Sequence, residues 1–117
     1  MDVAPDLLET LTALVAIPSP NPPGVTREIC AYVAGRLGPL GYALSIASEE
    51  PGCDNLIATL GAGAPHLVFN VHLDTVCVGD PEGWNSDPMS LTRDGDSLFG
   101  LGAVSYTHLT LPTIYSV

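Results

Sequence analysis

Positive charge is nearly missing from this sequence. Its 117 residues include no lysine, and Arg27, Arg36 and Arg93 face 13 acidic side chains, for a formal net charge of -10. Such a surface repels phosphate, which argues against nucleic acid and anionic membranes as partners. Long hydrophobic runs are missing too: nothing approaches the roughly 18 apolar residues of a membrane span. The opening Met1-Asp2-Val3-Ala4-Pro5-Asp6 is acidic where a secretory leader would be basic. Cysteine is sparse. Cys30, Cys53 and Cys77 are odd in number and far apart. Without a C-x-x-C pair, neither a thiolate zinc knuckle nor a dithiol redox motif is indicated. Scattered thiols fit a reducing compartment, so a cytoplasmic location is expected.

What is present suits one small domain. Hydrophobic residues make up 46% of the chain, enough to build a core. Pro5 can open a helix, with Asp6 and Glu9 near its positive end, and Leu7, Leu8, Leu11, Leu14 and Val15 recur at helical spacing. Pro18, Pro20, Pro22 and Pro23 stop that helix near Ala16 and make Ser19 to Gly24 a rigid loop. A second helix is expected from about Thr26 to Leu37, ended by Gly38, Pro39 and Gly41. Strands are expected at about Tyr42 to Ser48 and Asn55 to Leu60. Leu67 to Val71 reads as a short strand buried on both faces. Leu91 to Arg93 and Ser97 to Phe99 flank Asp94-Gly95, a hairpin signal. Helices followed by strands suggest an α/β layered domain.

His72-Leu73-Asp74 is the candidate site. Residues two apart on an extended chain face the same way, so His72 and Asp74 should project together from the strand end. Ligands in open α/β sheets bind at such ends. A neutral imidazole can hold a metal through one nitrogen while a carboxylate fixes the ring through the other. The triplet alone is common, and an ordinary surface His and Asp would look the same.

The context is more specific. Thr75-Val76 follows, then Gly79-Asp80, Trp84, Asp87-Pro88, the Asp94-Gly95 turn and Gly100-Leu101-Gly102-Ala103; upstream stand Ile17-Pro18-Ser19-Pro20 and Asn21-Pro22-Pro23-Gly24. From about residue 4 to 103 this ordered set resembles the metallopeptidase and amidohydrolase family of acetylornithine deacetylase, succinyl-diaminopimelate desuccinylase, aminoacylase and carboxypeptidase G. The resemblance implies a zinc-exopeptidase-like catalytic domain, with α/β/α layers around a mostly parallel sheet. It implies hydrolysis of an amide or peptide bond by zinc-activated water, with two Zn2+ per site (Co2+ being a possible replacement). N-acyl amino acids or small peptides would be the substrates, and the parent protein would be a homodimer. His72 matches the first metal ligand, and Asp74 matches the carboxylate that supports the site. Trp84, Asp87 and Pro88 match a loop beside it and read as structural anchors. Ser19 is not expected to act as a nucleophile, and Cys77 is expected to be a small buried side chain.

The pattern then breaks. The family places a metal-bridging Asp two residues after Gly-Ala, and here that residue is Ser105, a poor substitute. The family's general-base Glu, its remaining ligands and its lid or dimerisation domain have no counterparts, and Glu49-Glu50 reads as solvated charge. Val104 to Thr113 also equals the translation of a common transposase-based sequencing adapter. We therefore expect residues 1–103 to be the N-terminal part of a catalytic domain, truncated. Residues 104–117 are expected to be a foreign tail, which excludes His108 as a ligand. With one ligand, the chain by itself is expected to be inactive and not to hold zinc tightly. The alternative is a non-catalytic binding or regulatory module that keeps the fold.

Overall fold

A computed structural model describes residues 4–104. Ser105, His108 and the rest of the expected tail lie outside the described residues.

Helix α1 spans Pro5–Ala16 and helix α2 spans Arg27–Leu37, within a residue of the ends that the prolines and glycines predict. Ala4 offers α1 no side-chain cap, so Pro5 in its first turn and Asp6 near its positive end favour the start. The chain extends at Ile17, ahead of Pro18. Helix α2 begins on a tertiary contact: the Gly52 carbonyl accepts from the Thr26 and Arg27 amides at 2.8 and 3.1 Å. A 3-10 turn, Gly38–Leu40, follows α2, and Gly41 at φ 88° releases the chain into the first strand.

Strands β1 (Ala43–Ser48) and β2 (Asp54–Thr59) form an antiparallel pair, running from Ala43 opposite Thr59 to Ser48 opposite Asp54. Their turn docks on α2. Thr26 donates its hydroxyl to the Asp54 carbonyl at 2.7 Å, and the Cys30 thiol reaches the same oxygen at 3.2 Å. The Asp54 side chain is buried but compensated, by the Ser48 hydroxyl and by the Arg27 guanidinium at 3.5 Å. Strands β3 (Thr92–Asp94) and β4 (Ser97–Phe99) form a second antiparallel pair. Asp94 pairs with Ser97, so the two turn residues are Gly95 and Asp96 rather than Asp94 and Gly95. Gly95, at φ 58°, is the only one of the two with positive φ, the pattern of a turn with glycine in its first central position.

Two expectations are corrected here. Leu67 to Val71 forms no strand and is not buried: Leu67 is 82%, Val68 80% and Phe69 68% exposed. A strand needs backbone partners along its length. Among the described residues this stretch has none, so its apolar content alone does not fold it. For the same reason the described sheets are both antiparallel, and the mostly parallel sheet is not formed among them. Among the described residues, parallel pairing is confined to one bridge, Pro20 with Thr75. The architecture is a small α/β arrangement whose buried apolar side chains, among the described residues, are Val15, Ile29, Cys30 and Leu101.

Candidate functional site

The proline-rich loop after α1 grips the chain around Asp74. Ser19, 1% exposed, donates its hydroxyl to the Leu73 carbonyl at 2.8 Å. The Thr75 amide donates to the Ser19 carbonyl at 2.9 Å, and the Asn21 amide to the Thr75 carbonyl at 2.8 Å. These contacts flank a single parallel bridge between Pro20 and Thr75. Ser19 is therefore a clamp whose hydroxyl is spent on the backbone, in keeping with the expectation that it is no nucleophile.

Within that grip His72 and Asp74 do come together. Nδ1 of His72 lies 2.8 Å from the Asp74 carbonyl oxygen and 3.3 Å from its carboxylate Oδ1. Both oxygens only accept, so Nδ1 carries the proton and donates. The neutral ring then has its lone pair on Nε2, the form in which histidine binds metals. The other carboxylate oxygen, Oδ2, accepts from the Asn21 side-chain amide at 2.9 Å. That hydrogen bond, opposed by partial burial and helped by the neighbouring His72, holds the Asp74 carboxyl below its ordinary range. Asp74 is thus an anion at neutral pH.

A second sequence motif packs against the first. Gly102, at φ 74°, comes so close to Thr75 that a Cβ there would lie 2.7 Å from Thr75 Cγ2. A Cβ at Gly100 would lie 2.9 Å from Val15 Cγ1 of α1, and the Leu101 amide donates to the Pro88 carbonyl at 2.7 Å. The Gly-Leu-Gly-Ala turn, far from His72 in sequence, is seated beside the His-x-Asp-Thr segment. The anchors between them are structural in geometry. Trp84 donates its indole N–H to the Val78 carbonyl at 3.0 Å, and Asp87 accepts from the Met89 amide at 2.9 Å, closing the Asp-Pro turn. A cleft of about 630 Å³ opens between Trp84 and the β3–β4 hairpin, and neither His72 nor Asp74 lines it.

Cys77 departs from expectation: it is exposed, while Cys30 is the buried thiol. Cys77 lies just past the Pro20–Thr75 bridge, and none of the described residues packs over it. Asn21 was not singled out by sequence reasoning. It sits more than fifty residues from Asp74, and no local signal links a loop asparagine to that carboxylate. Among the described residues no group of three or more His, Cys, Asp or Glu side chains gathers to hold a metal. The donor set on the page is one oriented imidazole with a neighbouring carboxylate.

No protein-family model matches the chain. It is 38% identical over 115 residues to the succinyl-diaminopimelate desuccinylase of Afipia carboxidovorans, covering 89% of this chain and 26% of that protein. It is 36% identical over 107 residues to the enzyme of the same name from Methylocella silvestris, covering 88% of this chain and 27% of that protein. With a probable succinyl-diaminopimelate desuccinylase of Staphylococcus epidermidis it shares 32% identity over 97 residues, covering 83% and 24% respectively. The chain spans about a quarter of the length of the curated relatives it matches. As a segment of that length, it belongs to the peptidase/amidohydrolase family of the succinyl-diaminopimelate desuccinylases.

Proposed function

We propose that the chain is a metal-site segment of a zinc-dependent hydrolase that cleaves the amide bond of an N-acyl amino acid, an N-succinyl amine being the favoured substrate class. The observation that carries this reading is the His72–Asp74 pair, a ring with its proton fixed on Nδ1 inside a chain related to desuccinylases. His72 would hold the metal through Nε2, and Asp74 would orient the ring and supply negative charge beside it. Bound zinc supplies a Lewis acid that activates water and polarises the substrate carbonyl. A second zinc and pairing of two parent subunits belong to the same proposal. So does the boundary near Ala103, with residues 104–117 foreign to the protein. Re-reading the source DNA across the Ala103 codon, without a transposase adapter, tests that boundary.

One ligand is too few for a zinc site, since such sites need three or four. The 117-residue chain is therefore expected to show no hydrolysis and no tight zinc uptake. The coding region read beyond Ala103 is expected to hydrolyse N-succinyl amino acids in a zinc-dependent way, with His72→Ala abolishing both activity and one metal equivalent. Full activity and metal content in that His72→Ala enzyme would overturn the assignment.

A further inference from the structure

Hydrogen bonds from one loop reach three consecutive peptide groups around Asp74. Ser19 Oγ donates to the Leu73 carbonyl, the Thr75 N–H donates to the Ser19 carbonyl, and the Asn21 N–H donates to the Thr75 carbonyl. The middle contact has a consequence for His72. The Thr75 N–H and the Asp74 C=O belong to one planar peptide unit. Ser19 therefore holds, from one side, the plane whose carbonyl oxygen receives His72 Nδ1 on the other, at 2.8 Å. The backbone clamp thus fixes one of the two acceptors of the imidazole proton.

The clamp leaves the Asp74 side chain to be placed separately, because the carboxylate can rotate about its own bonds. Asn21 is the loop residue that reaches it, donating its side-chain amide to Oδ2 at 2.9 Å. With Oδ2 held, Oδ1 faces the His72 ring at 3.3 Å. We propose that Asn21 is a positioning residue for the site: it locks the Asp74 carboxylate so that both oxygens offered to His72 Nδ1, carbonyl and carboxylate, come from one fixed residue. The role of the ring as a metal ligand rests on the function proposed above, but its orientation by Asn21 does not. The loop thereby works on the site through Asp74, fifty-three residues away in sequence.

Side-chain 15N shifts of His72 in the metal-free chain test this directly, and they need neither zinc nor substrate. In the unsubstituted chain the ring is expected to show the protonated-Nδ1 pattern. Asn21→Ala, and the same-shaped Asn21→Asp, which removes the donor and sets a carboxylate against Asp74, should shift both ring nitrogens part of the way from that pattern, since the clamped Asp74 carbonyl still accepts while the carboxylate is released. The Thr75 amide, held by Ser19, should keep its exchange protection in at least one of the two. Unchanged His72 shifts in both variants would overturn the proposal. So would joint loss of the Thr75 protection and the ring pattern in both, which would make Asn21 a folding residue. In the longer enzyme, Asn21→Ala is expected to weaken zinc retention by about tenfold, at the lower end of what supporting partners contribute. Absence of zinc from the unsubstituted longer enzyme would overturn the metal reading instead, and the ring-shift result would stand apart from it.

Discussion

Each cysteine meets a different environment, and its reactivity follows. Cys77 is exposed, Cys53 is half-buried, and Cys30 is enclosed between α2 and β2 with its thiol at 3.2 Å from the Asp54 carbonyl. Burial pushes the Cys30 thiol up, and the Asp54 charge adds to this, against an opposing hydrogen bond from Thr26. Maleimide labelling followed by peptide mapping should modify Cys77 first and Cys30 only on unfolding; early labelling of Cys30 would contradict its burial. A raised pKa means the folded chain favours the neutral thiol. That stabilisation is complete below the unfolded thiol's value of about 8.5 and is lost as pH rises through the higher folded value. Asp74 has the opposite sign. Its folded pKa is depressed, so its contribution is full above the unfolded value of about 3.9 and is lost as pH falls through the lower folded value. Urea melts between neutral and strongly acid pH should show this loss, and Asn21→Ala should flatten it, because the Asn21 hydrogen bond is its largest cause.

At the scale of the elements, glycines decide how closely the motifs approach. Gly102 combines positive φ with a Cβ position 2.7 Å from Thr75 Cγ2, so Gly102→Ala should suffer both backbone strain and a clash. The expected cost is about 1–3 kcal/mol, read as a lowered midpoint in urea or heat. Thr75→Ser removes the methyl but not the strain. In that background the cost of Gly102→Ala should fall without vanishing, and equal costs in both backgrounds would show that the contact is not what Gly102 serves. The hairpin turn makes a similar demand. Gly95→Ala places a side chain at φ 58° and should loosen β3–β4 by roughly 1 kcal/mol, visible as faster amide exchange at Leu98 and Phe99.

Across the whole molecule, apolar surface outweighs what the described residues cover. Leu67, Val68, Phe69 and Val71 form an exposed, β-prone stretch that joins no strand pair among the described residues, and Val76, Ile46 and Ile57 are exposed as well. Such a segment invites edge-to-edge association. The isolated 117-residue chain is therefore expected to bind hydrophobic dyes and to associate as concentration rises. Leu67→Lys with Val68→Thr should raise the soluble monomer fraction while leaving helical circular dichroism unchanged, since both side chains are largely exposed. A chain that stays monomeric as concentration rises and binds no hydrophobic dye would overturn this. No helix among the described residues is long and apolar enough to cross a membrane.

The sequence by itself determined what depends on neighbours along the chain. Proline and glycine positions set α1 and α2 to within a residue, and the first hairpin's strands to within one or two, because helix ends and turns are local events. The ordered motifs identified the family, and the His-x-Asp spacing placed His72 beside Asp74. Local pattern could not decide burial or pairing. Leu67 to Val71 has the composition of an inner strand, yet strand formation depends on partners that no window of sequence contains. Cys77 is exposed for the same kind of reason. The tertiary structure alone brought Ser19 and Asn21 to the Leu73–Thr75 segment and Gly102 to Thr75, since those hydrogen bonds and contacts join residues that only folding makes neighbours.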